Sequence, residues 1–377
     1  MPIRPNGFER LSMKAVSLFT GAGGMDVGFR NAGFEVAWAN DFDKDACETY
    51  RLNHGDHIHH GSIDDLMPEL KALGRDGDVA CLFGGPPCQG FSVAGKMDAH
   101  DPRSKLVWSY MEAVKLIRPA AFVMENVKSL ATLEKFSAVR EGLFKEANKL
   151  GYNVELVVLN SKDFGIPQGR ERMFLVGFRD RPNRFRDLID DHRRSAPKLR
   201  DVLLGVGKIG SPTNNRICRA KVTAAASPVM RRSPYAGMLF NGQGRPLNLD
   251  GHASTLPASM GGNRTPIIDD AALYGNETPW VEDYHAHLMD GGDPIDWQTV
   301  PERLRRLTVD EAIAIQTFPR DYRFAGPQSS VFKQIGNAVP CLLAEAVASV
   351  VFELLSESPS ATKKRRRTSD ELELEIA

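Results

Sequence analysis

Side chains capable of chemistry stand where short apolar runs give out. The run Val79-Ala80-Cys81-Leu82-Phe83 leads through Gly84-Gly85-Pro86-Pro87 to Cys88. Its length and unbroken apolarity predict a strand covered on both faces. The two prolines, lacking the N–H that a ladder needs, stop it. Cys88 is therefore expected just beyond a strand's carboxyl end, where open α/β sheets bind ligands. A thiol there becomes a nucleophile if its pKa is lowered; read alone, it is equally a small buried hydrophobe. Cys81, inside the run, reads as packing. A second run, Ala120 to Met124, delivers Glu125-Asn126-Val127. Glu125 is either a surface acid or a buried one with a raised pKa. Gln168-Gly169-Arg170-Glu171-Arg172 opens another strand, and surface charge is the default reading of its two arginines.

Other elements must hold these groups in place. Ala15-Val16-Ser17-Leu18-Phe19 reads as a first strand, followed by Thr20-Gly21-Ala22-Gly23-Gly24 and a helix from Met25 to Asn31. Strand, glycine turn and helix N-terminus form a cradle for a nucleotide-like ligand. A second strand, Phe34 to Asn40, ends at Asp41, twenty positions after Gly21. At that offset an acid reaches ribose hydroxyls. Asp26 stands where a dinucleotide loop has its third glycine, so a lone adenosine-bearing cofactor is favoured, with Phe42 available to stack on its base. The alternative is a plain tight turn with a surface acid. His54, His57, His59 and His60 cluster, but nothing completes a metal site, and a solvated loop is expected. Gln89 to Ser104 has no periodicity and reads as a mobile loop able to act as a lid. Helices are predicted over Lys105–Arg118, Phe136–Leu150 and Thr308–Gln316. The strands Tyr152–Leu159 and Arg172–Phe178 are joined closely enough to pair antiparallel. An apolar helix is predicted to start within Gln334–Pro340, reach Leu355 and pack back on the sheet.

A chain of 377 residues accommodates one large domain and a smaller one. Its five cysteines are odd in number and scattered, which points to a reducing compartment rather than a disulfide framework or zinc site. No secretory signal or run of transmembrane length is evident. The net charge of zero conceals an asymmetry: residues 181–235 carry +9 and residues 236–300 carry −7. The basic stretch suits a phosphate-contacting surface. Both stretches are rich in Pro, Gly, Ser and Asn, and read as an irregular inserted domain. Loops at Thr255-Leu256 and Ser259 to Pro266 are expected to be exposed and to carry hydrogen-bond donors for phosphates or base edges. The predicted organisation is a catalytic and cofactor-binding part at 1–180, the insertion at 181–300, a return to the first domain at 301–355 and a flexible polar tail at 356–377.

Six motifs in order resemble the DNA (cytosine-5) methyltransferases of bacterial restriction-modification systems. They are Phe19-Thr20-Gly21-Ala22-Gly23-Gly24, Pro86-Pro87-Cys88-Gln89, Glu125-Asn126-Val127, Gln168-Gly169-Arg170-Glu171-Arg172, Arg306-Leu307-Thr308 with Gln316-Thr317-Phe318-Pro319, and Gly336-Asn337-Ala338-Val339-Pro340. The resemblance implies an α/β fold: a Rossmann-like S-adenosylmethionine-dependent methyltransferase sheet with an irregular, smaller target-recognition domain. It implies that the Cys88 thiolate attacks a flipped-out cytosine, that Glu125 donates a proton to N3, that Arg172 holds O2, and that Arg170 supports the thiolate and the glutamate. S-adenosylmethionine, without a metal, would be held by Phe19, Gly21, Gly23, Gly24, Asp41, Phe42, Ser62, Ile63, Pro87 and Asn337. Double-stranded DNA would meet Gln89, Ser92, Thr255 and Arg264. A cytoplasmic, nucleoid-associated monomer is implied, paired functionally with a cognate restriction endonuclease. The family's Gly-Asp-Ile is Gly61-Ser62-Ile63 here, leaving one adenine contact to the Ser62 hydroxyl. Asp310 and Thr317 also depart from the family's common residues. A tRNA cytosine-5 methyltransferase shares these motifs. A nucleotide-dependent oxidoreductase would account for the glycine loop alone.

Overall fold

The computed structural model describes residues 12–87, 105–296 and 299–357. Cys88, Gln89, Ser92 and the rest of the lid segment lie outside the described residues, as does the tail from 358. The first half of the chain gives β1 (Met13–Leu18), α1 (Gly24–Ala32), β2 (Phe34–Asp41), α2 (Lys44–His54), β3 (Ile58–His60), α3 (Met67–Asp76) and β4 (Cys81–Gly84). Then come α4 (Leu106–Ile117), β5 (Ala121–Val127), α5 (Lys128–Thr132), α6 (Ser137–Lys149), β6 (Tyr152–Asn160), β7 (Gln168–Gly169) and β8 (Glu171–Arg179). Seven strands form one sheet in the order β3-β2-β1-β4-β5-β8-β6. All neighbours pair parallel except β8, which runs antiparallel to β5 and β6.

The sheet is covered on both faces, and alternation along the strands distributes its side chains. Ala15, Cys81, Phe83, Ala121 and Val123 face one core, which Phe29 of α1 and Tyr50 of α2 help to fill. Val16, Leu18, Leu82, Phe122 and Met124 face the other, against Leu70 of α3, Tyr110 of α4 and Leu143 of α6. The direction of winding reverses between β1 and β4. The crevice where such sheets take ligands therefore opens between the glycine loop after β1 and the proline loop after β4.

The chain continues through α7 (Phe185–Ile189), α8 (Leu199–Val206), β9 (Ala224–Val229), β10 (Met238–Phe240), β11 (Ala253–Ser254), β12 (Ile267–Asp269), α9 (Asp270–Tyr274) and α10 (Trp280–Met289). It closes with β13 (Leu304–Arg306), α11 (Val309–Ile315), α12 (Gln328–Asn337) and α13 (Cys341–Ser356). Phe185 and Ile189 pack into the first core with α13. Leu199 and Leu203 of α8 join another core, shared by Leu247, Leu256, Leu307, Ile313 and Ile335, while Phe240, Ile267, Val281 and Tyr284 cluster in a further one. β12 pairs antiparallel with β13, Ile267 opposite Arg306 and Asp269 opposite Leu304.

The apolar helix expected to start within Gln334–Pro340 starts just beyond it, because a separate helix ends inside that stretch. Gln334–Asn337 end α12, Ala338 is extended at φ −60° and ψ 144°, and α13 begins only at Cys341. Pro340 cannot continue the helix, because it has no N–H for the Gly336 carbonyl and its ring clashes with that turn. The expected packing does occur: Leu343, Val347, Val350 and Val351 of α13 are buried against α1 and the sheet. The approach is so close that a Cβ on Gly28 would lie 2.4 Å from the Glu345 amide nitrogen.

Candidate active site

Glu125 lies at the carboxyl end of β5, and its side chain is largely buried. Its Oε1 is 2.8 Å from Nε of Arg172, whose own side chain is mostly buried on β8. Burial favours the neutral carboxyl, whereas Arg172 and, more remotely, Arg170 favour the carboxylate. Burial prevails, and the pKa of Glu125 is raised above the ordinary carboxyl value. The acid is pressed against the proline loop: a Cβ on Gly85 would sit 2.8 Å from its Oε2. The neighbouring Asn126 donates from Nδ2 to the Pro86 carbonyl at 3.1 Å, and its Oδ1 accepts from the Val127 amide. The end of β5 thus fixes Pro86, two residues before Cys88. The sequence assigns Asn126 no role; its polarity inside an apolar run, at a fully buried strand position, is the signal that points to one.

Arg170 is 1% exposed. Its guanidinium donates to the carbonyls of Leu256 and Asn337 at 3.3 and 3.2 Å. It therefore acts as a buried brace joining the segment after β11 to the break between α12 and α13, in addition to its electrostatic pull on Glu125. Gln168 completes the brace. Its Oε1 accepts from the Leu256 amide and its Nε2 donates to Gln316 Oε1, while Gln316 Nε2 donates to the Ile335 carbonyl. Both glutamines open motifs read from the sequence, but the sequence assigns them no role, since their partners are distant in the chain.

The loop at Thr255-Leu256 differs in part from the exposed loop expected. Leu256 is fully buried, because β11 pairs in parallel with β7 and draws it inward. Thr255 is exposed and donates its hydroxyl to the Gly169 carbonyl. Met260 and Thr265 are buried as well, and the Thr265 hydroxyl accepts from the Gly261 amide. Arg264 is exposed between them, as expected.

On the other side of the crevice, Asp41 accepts from the Gly21 amide at 2.7 Å and from the Asp43 amide at 2.8 Å. Burial raises its pKa against those hydrogen bonds. A carboxylate offers about four acceptor positions, so both oxygens can still receive a hydroxyl. A Cβ on Gly21 would meet nothing within 4 Å, which marks open space above the loop. Gly23 and Gly24 are glycines for internal reasons: added Cβ atoms would meet His54 Nε2 at 2.6 Å and the Val339 carbonyl oxygen at 2.8 Å. Phe19 has φ 53°, an uncommon conformation for a residue with a side chain, and its ring leans on the core beneath the sheet. Phe42 is 76% exposed, a bare aromatic face beside the loop. Ile63 is buried, and Ser62 Oγ accepts from the Asp64 amide at 3.3 Å. Pro87 is half-buried and Asn337 exposed. Open space over Gly21, an anchoring acid and an uncovered ring suit a group with a purine at one end and hydroxyls beside it. The four clustered histidines are occupied otherwise: His54 meets Tyr322 and Arg30, His57 meets Tyr50, His59 pairs with Glu69, and His60 meets the Phe42 carbonyl.

The family model for the C-5 cytosine-specific DNA methylases matches residues 13–353. The type II methyltransferase M1.HphI of Haemophilus parahaemolyticus is 32% identical over 360 residues, covering 91% of this chain and 88% of its own. M.FnuDI of Fusobacterium nucleatum, also a type II methyltransferase, is 32% identical over 376 residues, covering 94% and 98%. Among solved structures, the Dnmt2 methyltransferase of S. pombe superposes with a TM-score of 0.63 at 17% identity, over 92% of this chain and all of that one. That likeness is one of fold.

Proposed function

The chain belongs to the C-5 cytosine-specific DNA methylases, and from that premise we propose that it methylates C5 of a cytosine flipped out of a specific double-stranded DNA sequence. The coarse activity is that of a restriction-modification DNA methyltransferase. The finer reading is a covalent route through Cys88, with protection of the DNA from a cognate endonuclease as its purpose. The observation that carries it is the buried Glu125, held by Arg172 and set against the loop that leads into Cys88.

Cytosine C5 is a weak nucleophile. Addition of the Cys88 sulfur to C6 pushes electron density toward C5 and charge onto the ring. Glu125 gives its proton to N3 and neutralises that charge, a contribution on the order of 10²–10⁴ in rate. Arg172 holds O2 while orienting Glu125, and Arg170 keeps the surrounding backbone fixed. S-adenosylmethionine supplies the methyl group when bound, in the crevice bordered by Gly21, Gly23, Gly24, Phe19, Asp41, Phe42, Ser62, Ile63, Pro87 and Asn337. Once C5 is substituted, its proton leaves and the sulfur is expelled. The base must first leave the stack, at a cost of a few kcal/mol. Contacts from Gln89, Ser92, Thr255 and Arg264 offset that cost. The 181–300 insertion favours duplex DNA over tRNA, since reading a double helix needs its own module. The reading places the protein in the cytoplasm as a monomer.

A duplex oligonucleotide carrying 5-fluorocytosine at the target position tests this. The fluorine cannot leave as a proton does, so the adduct should persist and map to Cys88. An adduct on any other side chain, or none with an active preparation, would overturn the reading. The same assay with tRNA separates the two substrates.

A further inference from the structure

Beneath the glycine loop runs a chain of hydrogen bonds that the proposed chemistry does not use. Tyr322 lies between α11 and α12, is buried, and donates its hydroxyl to the Ala22 carbonyl. Since that proton is committed, the 2.8 Å contact between the Tyr322 oxygen and His54 Nε2 requires His54 to be the donor. Nδ1 of His54 is then the acceptor, and it faces Arg30 Nη1 at 2.9 Å, a group that can only donate. The donors run one way: Arg30 to His54, His54 to Tyr322, Tyr322 to Ala22.

The segment carrying Tyr322 is strapped to α2. Asn53 donates to the Arg323 carbonyl and accepts from its amide, Arg323 Nη2 donates to the Leu52 carbonyl, and the Ala325 amide donates to Thr49 Oγ1. The loop fits this support closely. Gly23 sits at φ 82°, and a Cβ there would meet both His54 and the Tyr322 hydroxyl. The groups around His54 are Arg30, Tyr50, His57 and Tyr322. Burial first, then Arg30 and His57, hold its pKa down at about 3, in agreement with the neutral imidazole that the hydrogen bonds demand.

We propose that His54 and Tyr322 are positioning residues for cofactor binding, holding the Ala22–Gly23 turn in the shape that receives the nucleoside through the relay from Arg30. The inference rests on the reading of this crevice as the S-adenosylmethionine site. Titration calorimetry of the intact protein with S-adenosylhomocysteine, together with ¹⁵N NMR of the imidazoles, tests it. Binding to the unaltered protein tests the crevice reading alone. Given that binding, Y322F should weaken it about tenfold, because a donor and an acceptor lose their buried partner. H54A should do the same, and H54Q, which restores an N–H at the ε position, should recover part of the loss. Duplex DNA affinity should be unchanged in all three. The His54 resonances should show the Nε2–H tautomer and no titration from about pH 5 to about pH 8, around the ordinary histidine value. Affinities within twofold of the unaltered protein, an equal loss of DNA binding, or a His54 that titrates near its ordinary pKa would each overturn the assignment.

Discussion

Glu125 is worth its burial only if it carries a proton when the cytosine arrives. Its raised pKa extends the protonated form to pH values at which an exposed glutamate is already ionised. Raising the pH removes that proton, so single-turnover methyl transfer should decline on an alkaline limb that begins above the ordinary carboxyl range. Glu125→Gln cannot titrate. It should lower the plateau by about 10²-fold or more and abolish the limb, while DNA binding persists. A Gln variant that keeps both rate and limb would assign the proton to another group. The position of Glu125 was legible in the sequence, because an ionisable residue ending an apolar run is conspicuous. Its partner was not, because Arg172 reaches it only through the antiparallel pairing of β5 with β8. The burial of Leu256 was hidden for a similar reason: the strand that draws it in, β7, lies in a distant part of the chain.

Three elements meet at a second buried acid that has no place in the chemistry. Asp26, in the first turn of α1, accepts from the Tyr50 hydroxyl of α2 at 3.0 Å and lies beneath the glycine loop that leaves β1. Burial pushes its pKa up to about 7, against the hydrogen bonds and Arg30. An unfolded chain returns it to the ordinary aspartate range. Between the two values the unfolded state sheds a proton that the folded state retains. Stability should therefore fall as pH rises from about 4 to about 7 and level off above that. The loss between about pH 5 and about pH 8 is of the order of 2–3 kcal/mol. Urea unfolding of the protein and of Asp26→Asn at both pH values checks it: the Asn variant should lack this component, and equal pH dependence would place the proton elsewhere. The sequence marked Asp26 only as the residue occupying a glycine's place. It did not reveal that the helix begins one residue earlier and turns this carboxyl inward. The break between α12 and α13 was written in Pro340, but the apolar composition on both sides disguised it.

At the scale of the whole molecule, the charge asymmetry read from the sequence is partly spent inside the fold. In the basic stretch, Arg184 pairs with Glu357, Arg193 with Asp163 and Asp190, Arg200 with Asp250, and Arg216 with Asp310. In the acidic stretch, Asp269 and Glu277 pair with Arg303, and Asp270 pairs with Arg305, both from the return segment. What remains outward is a narrower set of exposed cations, among them Arg219, Lys221, Arg231, Arg232, Arg245 and Arg264. Counterion release depends on cations that reach phosphates, not on those already neutralised. Replacing Arg231 and Arg232 together by Ala should therefore lower the slope of log affinity for duplex DNA against log salt by about 2. Arg216→Ala should leave the slope unchanged, because that guanidinium makes two hydrogen bonds to Asp310 and serves the fold. The measurement is duplex affinity from about 50 to about 200 mM salt. An unchanged slope in the double variant would move the phosphate contacts to another face. A lowered slope in Arg216→Ala would mean that its ion pair opens when DNA binds, so that the pairs seen here trade partners instead of subtracting from the field.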